Sequence, residues 1–502
     1  MNIPMNSRTI FLLITLLFVC VYSMFSQVTT HYAFQSENLD RGGLIGNGIT
    51  DLSWYDSTLY AGTSYGLSMT SDEGISWQNF TPADYHGKGG ISALQIAPDG
   101  TVWIATGYDT TVQEEQILSA GGGLRYRLPG SSEWIFLPQP RDAQTDTVGG
   151  MRPTTTHVQN LTFDIAILDT QVWITSFGGG TRRSTDMGQT WEVITTDGLP
   201  FSALDYLNHR SFSALAENGN IWIGTAAGIS KSADGGESWE RFNIGADQIP
   251  KPNGISGNWV IALSYNSWDN SVWAVTLTTG GEEFNSISKT LDGGRTWQNL
   301  LVNELSDGTF ARNISFYDSA VYVATEKGVY KTIDSGESWY KFLIIQDQIS
   351  GEQLLTQEFY SVSTSPAEGA LHRVWLGSAD GLATSADNGY SWTIFRSFIS
   401  TRERTDPPVY AYPNPFSPDR GMFIRFQYNV TKAGNVNIDI FNFALERVKT
   451  IRDEVILPIR SYDRSAHWDG RDSNGRMVDN GVYFFRVEVE GKVNWGKIVV
   501  IN

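Results

Sequence analysis

One eight-residue pattern, Ser/Thr-x-Asp-x-Gly-x-Ser/Thr-Trp, occurs six times at wide intervals along the 502-residue chain. The copies are TSDEGISW ending at Trp77, STDMGQTW at Trp191, SADGGESW at Trp239, TLDGGRTW at Trp297, TIDSGESW at Trp339 and SADNGYSW at Trp392. A decayed seventh, LPGSSEW, ends at Trp134. Successive tryptophans lie 57, 57, 48, 58, 42 and 53 residues apart. A period of about 50 residues restricts the chain to stacked blades or coils, because a unit that small cannot bury its own apolar face and must borrow a neighbour's.

A second signature separates blades from coils. Upstream of every box lies a five-residue segment with an aromatic second position: LYAGT from Leu59, VWIAT from Val102, VWITS from Val172, IWIGT from Ile221, VWAVT from Val272, VYVAT from Val321 and VWLGS from Val374. The full unit reads strand, short turn, aromatic strand, turn, strand, box, strand, with β-branched and aromatic residues in period two. Four strands per unit is a propeller blade. The expectation is an all-β chain with a seven-bladed β-propeller over residues 27–400, poor in helix because no segment repeats its apolar residues every 3.6 positions.

The box needs no chemistry to explain it. Its aspartate, Asp72, Asp186, Asp234, Asp292, Asp334 or Asp387, is expected to accept amides two or three residues on, as in an Asx-turn, while its glycine supplies a positive φ. The closing tryptophan, Trp77, Trp191, Trp239, Trp297, Trp339 or Trp392, is expected to pack between blades, so Trp239→Ala should cost about 3–5 kcal/mol. Six aspartates spaced around a ring cannot converge on one substrate.

At the amino terminus Arg8 precedes an apolar run from Ile10 to Val21, followed by small polar residues, which reads as a secretory signal peptide over residues 1–26. The single cysteine, Cys20, lies inside it, so the mature chain has no disulfide. After Phe395 the blade pattern stops, residues 401–408 read as a charged, proline-containing linker, and residues 409–502 alternate as about seven short strands, an immunoglobulin-like β-sandwich.

Two resemblances rest on these residues. The boxes resemble the Asp-boxes, or bacterial neuraminidase repeats, of sialidases, sortilin-type receptors, photosystem II assembly factors and xyloglucan-degrading glycosidases. In those families they sit on outer hairpins away from the binding face, so the likeness implies fold and says little about function. The last 95 or so residues resemble the Ig-like domain of the flagellar hook-capping protein FlgD and the carboxy-terminal sorting domains of type IX secretion. That likeness is carried by Tyr412-Pro413-Asn414-Pro415-Phe416, Trp468-Asp469-Gly470, Gly481 with Tyr483, and Lys497 in the final strand. It implies a chain exported across the inner membrane and then an outer membrane by type IX machinery, to be secreted or held at the cell surface.

A formal net charge of −18 disfavours nucleic acid as a partner. The six histidines show no metal-ligand spacing, and no cofactor motif or second subunit is indicated, so a monomer without cofactor is expected. Insertions fall in the second-to-third connections (Gly107 to Gly122, Leu277 to Ser286) and the fourth-to-first connections (Pro138 to His157, Thr195 to Arg210, Asn243 to Gly257, Ile344 to Glu358). Both kinds emerge on one face, opposite the boxes, where binding sites usually live. Those loops hold Tyr85, His86, Lys88, Tyr108, Arg141, Arg152, His157, Arg182, Arg183, Tyr206, His209, Arg210 and Trp259, a mixture suited to an unidentified glycan or protein. The expected function is a non-catalytic binding module for a glycan, protein or envelope partner. The alternative is a propeller glycoside hydrolase, sialidase- or xyloglucanase-like. It would need two carboxylates from different blades within about 10 Å at the loop-rich mouth, and Glu114-Glu115 and Glu282-Glu283 are adjacent pairs instead.

Overall fold

The structure, a computed structural model, describes residues 41–112, 116–141, 156–245, 249–348, 352–367, 372–399, 409–455 and 462–502. The signal segment, the linker, Arg152 and Glu114-Glu115 lie outside the described residues. One compact unit spans Gly43–Arg396 and a second takes in Ser397–Asn502.

Seven four-stranded antiparallel sheets make up the first unit, over residues 49–80, 90–137, 162–194, 211–242, 259–300, 311–342 and 359–395, here blades 1 to 7. Blade 4 is typical: Ser211–Glu217, Asn220–Thr225, Gly228–Ser232 and Glu240–Phe242, each strand paired with the next. The fold is thus the all-β, seven-bladed propeller expected from the period. Among the described residues the only helical elements are two 3₁₀ turns, Leu207–His209 and Pro418–Arg420. No described helix is long and apolar enough to cross a membrane.

The second residue of each aromatic strand is the true core. Tyr60, Trp103, Trp173, Trp222, Trp273, Tyr322 and Trp375 are all buried. In four blades a cation on the facing third strand lies in register with this ring: Arg183 opposite Trp173, Lys231 opposite Trp222, Lys289 opposite Trp273 and Lys331 opposite Tyr322. Lys231 and Lys289 hold their ammonium groups 4.8 and 4.9 Å from the ring centroids, a cation–π pair that also covers the indole with methylenes.

Among the described residues each blade is built from its own four consecutive strands, and blade 7 meets blade 1 mainly by packing, with one backbone bond from the Gly381 amide to the Asn47 carbonyl at 2.8 Å. Leu44, Ile49, Leu52, Leu59 and Ala61 of the amino-terminal side form one cluster with Trp375 and Leu382 of blade 7. Trp77 meets Phe395 edge-on at 5.5 Å, and Arg373 of blade 7 pairs with Glu73 of the first box.

The boxes reach further than the two or three residues of the Asx-turn expectation, although Asp234 also accepts an amide three residues on, that of Glu237 at 3.1 Å. Asp72 accepts the Ser76 amide, four residues on, at 2.9 Å, and the Ser76 hydroxyl at 2.5 Å. The same amide bond recurs at Asp186, Asp234, Asp292, Asp334 and Asp387. The box's first hydroxyl, Thr70 in blade 1, donates to the aspartate and accepts the glycine amide. The reach is longer because two consecutive residues take positive φ before the amide arrives: Glu73-Gly74, Met187-Gly188, Gly235-Gly236, Gly293-Gly294, Ser335-Gly336 and Asn388-Gly389. Hydroxyls four residues on hold the Asp72, Asp186, Asp234 and Asp334 carboxyls below the usual carboxylate range.

The box tryptophans are not equally buried. Trp297 and Trp392 are buried, whereas Trp77, Trp191, Trp239 and Trp339 are partly exposed. Trp239 meets Trp173 edge-on at 6.1 Å with one side open, so truncating it should cost less than the 3–5 kcal/mol expected from the sequence.

The second unit is a sandwich of a three-stranded sheet (Tyr410–Tyr412, Ile424–Val430, Tyr462–Trp468) and a four-stranded one (Arg447–Val455, Gly434–Phe441, Gly481–Val489, Lys492–Val500). One core joins the two, including Phe416, Phe426, Ile438, Trp468 and Phe485.

Candidate functional site

The first strand of every blade lines the central channel, and every one carries the same irregularity. Its register slips after the first pair, or after the second in blades 2 and 5, between Ile49/Asp51, Ile91/Ala93, Thr162/Asp164, Ser211/Ser213, Val260/Ala262, Ala311/Asn313 and Phe359/Ser361. A bulge leaves one residue per strand unpaired and turns it out of the ladder. Those residues are Thr50, Ser92, Phe163, Phe212, Ile261, Arg312 and Tyr360, and all seven line one cavity of about 590 Å³. They stand at the start of each first strand, hence at the end of the channel that the fourth-to-first connections reach.

The collar is lopsided. Blades 3 to 5 contribute Phe163, Phe212 and Ile261, joined by Trp259, whose ring lies 5.5 Å from that of Phe212, as Phe212 lies 5.6 Å from Phe163. Blades 6, 7, 1 and 2 contribute Arg312, Tyr360, Thr50 and Ser92. One arc is aromatic and the other polar.

One position deeper, Asp51 accepts the Leu52 amide at 2.8 Å and the Leu94 amide of blade 2 at 2.9 Å. Asp164 accepts the Ile165 amide at 2.8 Å and the Ala214 amide of blade 4 at 2.9 Å. Asn313 accepts the Val362 amide of blade 7 at 3.1 Å. Each is a staple to the next blade. The two carboxyls line the channel, and loss of bulk hydration pushes both up to about 7, offset in part by the amides; the Asp51 charge adds to the rise at Asp164.

A raised carboxyl has a definite sign. The folded chain holds a proton that the unfolded chain, with a carboxyl near about 3.9, has released. Stability from these groups is therefore full below about pH 4 and lost as the pH rises to about 7. Asn313 already does the same work without charge, so Asp51→Asn with Asp164→Asn should flatten this decline. Denaturation midpoints across that pH range would check it, and an unaltered slope would refute it.

Two carboxylates from different blades do meet at this rim. Arg312 Nη2 donates to Glu326 at 2.7 Å and to Glu358 at 3.0 Å, and the Tyr360 hydroxyl donates to Glu358 at 3.0 Å. Burial raises the Glu326 carboxyl, opposed by the Arg312 charge. One guanidinium holds both, whereas glycoside cleavage needs one carboxyl free to give a proton and another free to attack or activate water. Of the other pair, Glu282 is exposed and Glu283 is buried, accepting the Asn258 and Thr279 amides together with the Asn258 and Thr279 side chains. Glu283 is a loop clamp.

None of the six box aspartates lines the cavity. Of the described loop residues singled out by sequence, only Trp259 does. Tyr85 and His209 are buried within their loops, whereas Arg182 and Arg183, expected in a loop, lie in the third strand of blade 3, Gly180–Ser184, with Arg182 buried. Arg125 reaches the Tyr85 and His86 carbonyls, His209 accepts the Ser202 amide and bonds Asp197, and Arg210 donates to the Ala203 and Leu204 carbonyls. The expected swelling from Gly107 to Gly122 is instead a long hairpin in which Val102–Thr111 and Ile117–Arg127 stay paired to Thr111↔Ile117. Among the described residues no cluster of three or more His, Cys, Asp or Glu is arranged to hold a metal. The collar was missed because bulged residues look like ordinary strand positions. A signal was present, however: a polar residue followed by an aliphatic one, Asp51-Leu52, Asp164-Ile165 and Asn313-Ile314, inside otherwise apolar strands.

In the sandwich the motif residues gather at one end. Asn414 donates to the Lys497 carbonyl at 2.9 Å and accepts the Val499 amide at 2.8 Å, so Tyr412-Pro413-Asn414-Pro415-Phe416 ties down the last strand. Phe416 packs on Trp468 at 5.6 Å and Tyr483 meets Trp468 edge-on at 6.0 Å. Asp469 accepts the Arg471 amide. Gly470 has φ +74, and a Cβ there would stand 2.3 Å from Pro418. Gly481 opens the strand that carries Tyr483. Pro415 and Lys497 are exposed.

No protein-family model matches the sequence, and no curated protein matches it. Among solved structures, a GH74 xyloglucanase from Xanthomonas campestris is similar at 12% identity over 91% of this chain and 75% of its own, with a TM-score of 0.51. An ancestral GH74 enzyme is similar at 13% identity over 92% of this chain and 63% of its own, with a TM-score of 0.50. PorZ, a surface component of the type-IX secretion system of Porphyromonas gingivalis, aligns at 15% identity over 92% of this chain and 60% of its own, with a TM-score of 0.42. The chain thus spans less than two thirds of the length of two of these three. At such identities the likeness is one of propeller fold.

Proposed function

We propose that this chain is a secreted or cell-surface binding module with no catalytic step. In this reading the propeller holds a glycan, a protein or an envelope component at the loop-rich mouth of its channel. Residues 1–26 direct it across the inner membrane, and residues 409–502 address it to type IX secretion machinery in a bacterium with an outer membrane. The observation that carries the binding reading is the mouth itself: the rim carboxylates are tied up by Arg312, while aromatic and hydroxyl side chains line an open cavity. A hydrolase would need one of those carboxyls released. The export reading is supported by the Tyr412-to-Lys497 motif, which builds a compact end of the sandwich and leaves Pro415 and Lys497 accessible to a receptor. The module acts as a monomer and needs no cofactor.

The test is truncation at residue 408 in a bacterium with type IX machinery. The propeller has its own seven-sheet core, so its melt should be nearly unaltered, yet the chain should fail to reach the cell surface. Surface display of the truncated form would defeat the sorting role.

A further inference from the structure

The last strand of the sandwich, Lys492–Val500, is the outermost of its four-stranded sheet. In an antiparallel ladder every second residue turns its amide and carbonyl away from the neighbouring strand. Val499 is one of these, since its amide goes to Asn414 Oδ1 at 2.8 Å and its carbonyl accepts the Phe416 amide at 3.0 Å. Lys497 is the next, its carbonyl accepting Asn414 Nδ2 at 2.9 Å. The register runs unbroken from Val499↔Val482 to Val493↔Glu488, so the amides and carbonyls of Val493 and Trp495 and the Lys497 amide point the same way. Asn414 and Phe416 stop short of them, and among the described residues no strand lies beyond.

The side chains at this edge are as open as its backbone. Ile498 and Val500 point into the core, which puts Val493, Trp495 and Lys497 on the outer face of the sheet. Trp495 is 50% exposed and Val493 43%, and Phe441 lies 5.4 Å from the indole. The strand at the opposite edge, Arg447–Val455, is built otherwise. It carries Arg447, Lys449, Arg452, Asp453 and Glu454, and the Ser473 amide covers its Val448 carbonyl at 3.0 Å. Charge of that density keeps other strands off an edge. The Val493–Lys497 edge has instead one lysine at each end, Lys492 and Lys497, both exposed and in no ion pair with a described residue, while the nearby Glu488 is held by Arg486 at 2.8 Å. These two cations choose the occupant. A second copy laid antiparallel along the edge would bring Lys492 of one strand beside Lys497 of the other at both ends, whereas a segment acidic at both ends meets opposite charge.

We infer that the Val493–Lys497 edge is an interaction surface that takes one extended segment of a partner protein, apolar at alternate positions and acidic at both ends, as an added strand of the sheet. Its backbone answers the free amides and carbonyls, its apolar side chains lie on Trp495 and Val493, and its carboxylates face Lys492 and Lys497. This holds whether or not residues 409–502 are an export address. The test uses the full-length chain with two peptides, acetyl-Glu-Val-Thr-Val-Thr-Val-Glu-amide and its lysine-ended counterpart, followed by calorimetry and amide exchange. The acidic peptide should bind with a Kd on the order of 100 μM, and at low salt the lysine-ended one about tenfold more weakly. The acidic peptide should also protect the amides of Val493, Trp495 and Lys497, which exchange freely in the chain alone. Val493→Pro removes an outward amide that the ladder to Gly481–Val489 does not use, so the melt should be kept and binding lost. Lys492→Glu with Lys497→Glu should reverse the preference, making the lysine-ended peptide the tighter. No binding of the acidic peptide, equal binding of both peptides, or indifference to Val493→Pro would overturn the inference. So would protection of those amides in the chain alone, or a dimer that Val493→Pro dissolves, since these give the edge to another segment of the chain or to a second copy. Surface arrival of a chain lacking residues 409–502 would remove the export role and leave the peptide result standing.

Discussion

Trp222→Ala is expected to destabilise the propeller by about 3–5 kcal/mol, the range for truncating a fully buried large aromatic. The indole is 1% exposed and sits between blades 4 and 5 in a cluster with Ile229, Val260, Leu263 and Trp297. Phe242 stacks on it at 5.9 Å, Trp297 meets it edge-on at 6.4 Å, and the Lys231 ammonium lies 4.8 Å from its centroid. Its Nε1 donates to Glu217 at 2.9 Å, a bond that alanine also deletes. Sheets on both sides are tied by their own ladders, so the space cannot collapse and the void persists. Chemical denaturation of the full chain, with Trp239→Ala as comparison, provides the measurement. If the partly exposed Trp239 proved as costly as Trp222, the assignment of the core to the aromatic strand would be wrong.

Gly294→Ala should cost about 2–4 kcal/mol, from two sources. The residue has φ +101, and a Cβ built there would stand 2.3 Å from Phe242 Cζ, inside the ring of the preceding blade's fourth strand. Phe242 is held by Trp222 and Trp297 and cannot withdraw. Gly308→Ala separates the terms, since it has φ +84 but open space around it, leaving backbone strain of about 1–2 kcal/mol. Equal effects in the two variants would show that the box glycine is a turn residue only and not a point of contact between blades.

Much of this architecture was legible in the sequence, for reasons that particular residues make plain. The box repeats because each blade must solve the same hairpin, and the hairpin's demands are local: an aspartate, a hydroxyl four residues on and a positive-φ glycine lie within one short segment. The aromatic strand was legible for the same reason, as every blade buries one large ring at the same place. The burial of individual box tryptophans was not legible, because Trp239 and Trp297 close boxes of the same pattern and their burial depends on what the adjacent blade sets against them. The arginine-bridged pair Glu326 and Glu358 was equally hidden, its members lying in different blades and meeting only through Arg312.

By itself the sequence determined the number of blades, their strand order, the place of the boxes and the presence of a second all-β unit, since each follows from short-range periodicity and turn chemistry. Only the tertiary structure decided which residues face the channel. A single bulge shifts the pleat by one position, and seven of them bring Thr50, Ser92, Phe163, Phe212, Ile261, Arg312 and Tyr360, scattered over 311 positions of chain, to one cavity. A ring closed by packing is what converts that repeated local slip into a collar, and no stretch of sequence shorter than the whole ring contains it.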